Sequence, residues 1–171
     1  MRHDSFHGLF LALLPPAEIR PEIARWRDWS GCESCPVEDD RLHITLISFG
    51  CFAVRPDRFI ARVREMDFVI RACRVVFDLL VFGHKSVLLK PSEKLRGVRR
   101  VQGALDEAFH RAGIRPGHWS DPHITLHYDR RPEPTQPIDA ISWAATELVF
   151  IESLHGRHRH IVQRRWRLIL D

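Results

Sequence analysis

LHITLISF at residues 42–49 and HITLHY at residues 123–128 share the tetrapeptide H-I-T-L, and reading this repeat decides both the fold and the chemistry. Each copy follows a polar or proline-bearing loop and has the branched and aromatic content of a β-strand. Residues i and i+2 of a strand share a face and lie about 6.5–7 Å apart. His43 with Thr45, and His123 with Thr125, therefore each set an imidazole beside a hydroxyl, while the intervening Ile and Leu turn to the opposite, buried face. One such pair is ordinarily a surface feature. Two in matching contexts point to a shared groove, in which one imidazole takes a proton from water and the other gives one to a departing oxygen. The hydroxyls would donate to the oxygens of a phosphate.

Working outward, GLFLALL at 8–14 reads as a strand stopped by Pro15-Pro16, and Ile19, Ile23 and Trp26 space a helix over Ala17 to Trp29. Residues 30–40 form a loop. A second helix covers Pro56 to Met66, and RVVFDLLVF with SVLLK around Gly83 forms a hairpin. Leu95, Val98, Val101, Leu105 and Phe109 mark an amphipathic helix from Ser92, its expected cap, to Ala112, closed by Gly113. After a Pro-rich connection at 132–137, strands are expected at Ile141–Ile151 and His160–Leu170. The order β-α-β-α-β-β-α-β-β-β excludes a regular doubly wound sheet and gives an α+β class.

The 171 residues suit a single domain spanning 1–171, and 44% hydrophobic with 28% charged residues is ordinary for a globular chain. No stretch reaches the roughly 20 apolar residues of a membrane span, and Leu9–Leu14 is too short for a signal peptide, so a cytoplasmic protein is expected. Cysteines at 32, 35, 51 and 73 make one C-x-x-C and two singletons, which match neither a disulfide framework nor a paired zinc site. Histidines gather at 155, 158 and 160, but no H-E-x-x-H or closed Cys/His set appears, and neither a metal nor a cofactor is expected. The formal charge of +4 favours an anionic partner only weakly. Arg96, Arg99 and Arg100 form one basic run, and Arg157, Arg159, Arg164, Arg165 and Arg167 another. Such runs are ordinarily solvated faces.

At these residues the chain resembles the 2H phosphoesterases, most closely the RNA 2′,3′-cyclic phosphodiesterase or 2′-5′ RNA ligase-like branch. The resemblance runs through LFLAL with PP, LHITLISFG, VVFDLLVFG with SVLLKPSE, DPHITL, and ELVFIESLHGR with HIVQRRWRL. It implies a bilobal, duplicated fold with two antiparallel sheets and flanking helices around a central cleft, each lobe supplying one H-x-T and both termini in one lobe. It further implies metal-independent hydrolysis of a 2′,3′-cyclic phosphate to a 2′-phosphomonoester, with 2′-5′ joining of RNA ends in some members.

By resemblance His43 is the acid, His123 the base, and Thr45 and Thr125 hold the phosphate, with Phe10 lining the cleft. The two motifs are identical, so the residues alone leave acid and base open. The family often carries an arginine five residues after its second histidine. Tyr128 stands there, with His127, Arg130 or Arg131 as substitutes for the missing charge. A monomer is expected, with RNA or an oligonucleotide ending in a 2′,3′-cyclic phosphate as its partner. Another 2H cyclic phosphodiesterase, a 2′-5′ oligonucleotide phosphodiesterase, and a non-catalytic RNA-end binding module are the alternatives. Intact histidines favour catalysis, because a pure phosphate binder is better served by permanent Arg or Lys charge.

Overall fold

A computed structural model describes residues 6–30, 35–128, 133–157 and 159–170. Along the chain lie β1 (His7–Leu13), α1 (Arg20–Trp29), β2 (Ile44–Phe52), α2 (Asp57–Glu65), β3 (Cys73–Phe82), β4 (Val87–Lys90), α3 (Arg96–Arg111), β5 (His118–Trp119), β6 (Ile124–His127), β7 (Gln136–Ala145), β8 (Glu147–Leu154) and β9 (Arg159–Arg167). Two antiparallel halves result, β2-β1-β8-β9 and β7-β3-β4-β6, with the first and last strands in the same half. The halves meet edge to edge through one residue pair, Ile44 of β2 with Ile124 of β6. The α+β, two-lobed expectation holds, with the refinement that this pair makes one continuous sheet of the two.

β1 is apolar almost throughout because it is covered on both faces. Leu9, Leu11 and Leu13 enter the main core, while Ala12 joins Val149 and Ile151 of β8 in a small cluster that packs against Phe10. α3 buries Val98, Val101, Leu105 and Phe109, at the spacing the sequence shows. Phe109 meets Phe49 of β2 edge-on at 5.4 Å. The buried Gln102 donates its amide to the carbonyls of Leu46 (3.1 Å) and Ser120 (2.9 Å). A buried amide left unbonded is costly, so these two bonds fix α3 beneath the junction of the halves.

Three expectations change. The strand expected at Ile141–Ile151 is two: β7 pairs with β3 and β8 with β1, so the chain crosses between halves at Thr146. No Gly or Pro marks that crossing, and an unbroken apolar run does not reveal a change of sheet partner. β7 also begins earlier, and Pro137 is tolerated because β7 is an edge strand. Ser92 does not cap α3: its N–H and hydroxyl both go to the Asp78 carboxylate, and the helix starts four residues later. Gly113 does close α3, at φ 62°, a conformation that only glycine adopts at little cost. β5 was not legible in its sequence. Its approach to β2 depends on Gly117, where an added Cβ would fall 1.7 Å from the Ser48 carbonyl oxygen.

Candidate active site

Both H-I-T-L copies obey the strand alternation. Ile44, Leu46, Ile124 and Leu126 are fully buried, and His43, Thr45, His123 and Thr125 are partly exposed on the other face. Because Ile44 stands opposite Ile124 in an antiparallel register, His43 falls opposite Thr125 and Thr45 opposite His123. Facing residues of such a ladder have Cβ atoms about 4.5–5.5 Å apart, so two imidazoles and two hydroxyls gather about a local pseudo-twofold axis.

Each imidazole is set by its own backbone. His43 Nδ1–H donates to the Arg41 carbonyl (2.6 Å), and His123 Nδ1–H donates to the Asp121 carbonyl (2.8 Å). A carbonyl only accepts, so both rings carry their hydrogen on Nδ1 and leave Nε2 as the proton-exchanging atom.

The surroundings of the two rings differ. Phe10 stacks on His43 with centroids 4.9 Å apart, and His160 meets it edge-on at 5.3 Å. Although part of His43 stays accessible, burial in this cluster lowers its pKa to about 4. The charges of His123 and Arg41 push the same way, and the Arg41 carbonyl bond opposes them. His160 is lowered to about 3, chiefly by burial and then by His43, Arg41 and His155. A cavity of about 480 Å³ opens beside His43, walled by Phe10, Arg41, Thr45, Tyr128 and His160. His123 and Thr125 are not among its lining residues; they reach the site through the strand register.

Phe10 and the exposed Tyr128 thus flank the cavity. His127 does not. It is 2% exposed, and its Nε2–H donates to the Arg27 carbonyl of α1 at 2.7 Å. The register of β6 on β4 shifts between Thr125 and His127, and this bulge turns His127 away from the Thr125 face. Arg130, Arg131, His158 and Cys32 lie outside the described residues. Arg96, Arg99 and Arg100 line a separate groove at the start of α3, and Arg164 and Arg165 pair with Asp67 and Glu147. Among the described residues no three His, Cys, Asp or Glu side chains converge to hold an ion, and no helix is long and apolar enough to cross a membrane.

Sequence reasoning missed Arg41 as a site residue and treated His160 only as part of a histidine cluster. Arg41 had a signal, since it stands two positions before His43. His160 had none, because strand pairing alone brings it to the site.

Two half-sheets that each deliver one H-x-T to a common cleft define a 2H phosphoesterase. The chain belongs to the 2′-5′ RNA ligase superfamily, whose pattern matches residues 15–160. It is 30% identical to the RNA 2′,3′-cyclic phosphodiesterase of Escherichia coli strain K12 over 174 residues, covering 94% of this chain and 96% of that one. Its backbone is similar to E. coli LigT complexed with 3′-AMP, with a TM-score of 0.75, 26% identity, and coverage of 95% and 98% of the two chains. E. coli LigT complexed with phosphate gives a TM-score of 0.73 at 26% identity, over 96% and 98%.

Proposed function

We propose that this protein hydrolyses 2′,3′-cyclic phosphates at RNA termini, or on small nucleotides, to 2′-phosphomonoesters through the His43 and His123 pair. The observation that carries this reading is the Ile44–Ile124 pairing, which sets each histidine opposite the threonine of the other motif with Nε2 left free. His123 Nε2 accepts a proton from water as its oxygen bonds to phosphorus. The bond from phosphorus to the 3′ oxygen breaks, and His43 Nε2–H protonates that oxygen. Thr45 and Thr125 donate hydrogen bonds to the non-bridging oxygens. A 5′-hydroxyl in place of water would give a 2′-5′ linkage by the same steps.

The resemblance assigns the acid to His43, which is neutral in the free protein at neutral pH. Burial chiefly depresses it, with the charges of His123 and Arg41 adding to that, and the negative charge of a bound phosphate favours the protonated form against both. The similarity to an RNA 2′,3′-cyclic phosphodiesterase, and to LigT structures holding 3′-AMP and phosphate, supports the substrate class.

The test is to incubate chelator-treated protein with an RNA oligonucleotide ending in a 2′,3′-cyclic phosphate and to identify the product by mass and phosphatase sensitivity. Conversion to a 2′-phosphate that is lost in His43→Ala is expected. An intact cyclic end in a bound complex would reduce the site to a binding module, and chelator-sensitive turnover would contradict the two-histidine scheme.

A further inference from the structure

The positions two residues before the histidines are equivalent in backbone role and opposite in charge. The carbonyls of Arg41 and Asp121 each accept the Nδ1–H of the histidine that follows, yet one side chain is a cation and the other an anion. The Asp121 carboxylate is exposed and ion-paired with Arg99. Arg41 has no such partner among the described residues. Its Nε is buried without a hydrogen-bond acceptor, and among the described residues no carboxylate reaches its guanidinium. Arg27, Arg55, Arg99, Arg164 and Arg165, by contrast, are all paired with carboxylates. A partly buried guanidinium has given up water without gaining an anion, a cost that a structure keeps when the anion arrives as ligand. Arg41 also forms part of the wall of the cavity that contains His43, and its charge is felt by both His43 and His160.

We propose that Arg41 is the anion receptor of this site, taking the non-bridging oxygens of the substrate phosphate from the His43 side. The planar guanidinium offers parallel N–H donors that match a phosphate, where a lysine would offer only a point charge. Arg41 thereby supplies the fixed positive charge that Tyr128 does not, and it makes the cleft polar end to end, with the anion drawn toward the first motif and away from Asp121. This assignment rests on the phosphoesterase reading above, but its test is independent of turnover.

The test measures inorganic phosphate binding by calorimetry and follows the His43 ring by NMR titration in the wild type, Arg41→Met and Arg41→Lys. Arg41→Met should weaken phosphate binding by about tenfold or more, with Arg41→Lys between the two. The His43 pKa should rise in Arg41→Met without phosphate, because a neighbouring cation is gone, and phosphate should no longer raise it further. A role confined to folding would not move the His43 titration in that direction. Unchanged phosphate affinity in a folded Arg41→Met overturns the proposal even if cyclic phosphate is hydrolysed normally. Arg41-dependent phosphate binding by a wild type that leaves cyclic RNA intact would uphold the anion site and sink the hydrolase reading instead.

Discussion

His43 and His123 open the same tetrapeptide, hold the same tautomer through the same backbone bond, and live in different places. The first copy lies in the half built on β1, against Phe10, His160 and Arg41, with a cavity at its side and its pKa drawn down to about 4. The second follows Asp121, whose charge Arg99 neutralises, and contributes nothing to the cavity wall. Duplication thus sets two equivalent H-x-T pairs face to face, and under the proposed function their unequal surroundings divide the labour between them. A general acid and a general base need the same atoms in different fields.

The hardest test of that division replaces each histidine. His43→Ala and His123→Ala should each lower turnover of a 2′,3′-cyclic phosphate by roughly 10²- to 10⁴-fold with the fold intact. The two losses look alike on the natural substrate and separate on one whose leaving 3′ oxygen is replaced by sulfur, which departs without protonation. His43→Ala should recover most of its rate on the sulfur substrate and His123→Ala should not. Recovery by His123→Ala alone would exchange the two roles.

A smaller effect tests the equivalence of the hydroxyls. Thr45→Val and Thr125→Val each remove one donor to a charged phosphate oxygen, and each should cost roughly 10- to 100-fold in kcat/KM. A loss in one variant only would mean that the phosphate is held from a single half.

The smallest effect concerns stability, and it belongs to the first half. In the folded chain His43 and His160 titrate near 4 and 3, below the ordinary imidazole value of about 6.5. Below pH 6.5 the unfolded chain therefore binds protons that the folded chain does not, and stability falls as pH drops from about 6.5 toward 4. His160→Phe should flatten that fall by about one proton, read from Tm or urea midpoints at pH 7, 5.5 and 4.5. Parallel curves for variant and wild type would show that His160 is not held neutral by the site.

The alternation in H-I-T-L and the helical spacing of Val98, Val101, Leu105 and Phe109 were legible because each follows from the local geometry of one element. The same local reasoning misplaced His127, since a bulge against β4 is a property of two strands. It also merged β7 with β8, since the change of sheet partner at Thr146 leaves the apolar run unbroken.

What the sequence by itself determined is the H-x-T repeat, His43, Thr45, His123 and Thr125, and the face on which each pair stands. Only the tertiary structure decided that the two pairs meet through Ile44 and Ile124, that Phe10 and His160 enclose one histidine, and that Arg41 stands there with no counterion among the described residues. Periodicity acts over a few residues, whereas contact between positions 80 apart, and the field each then feels, exists only once the strands have paired.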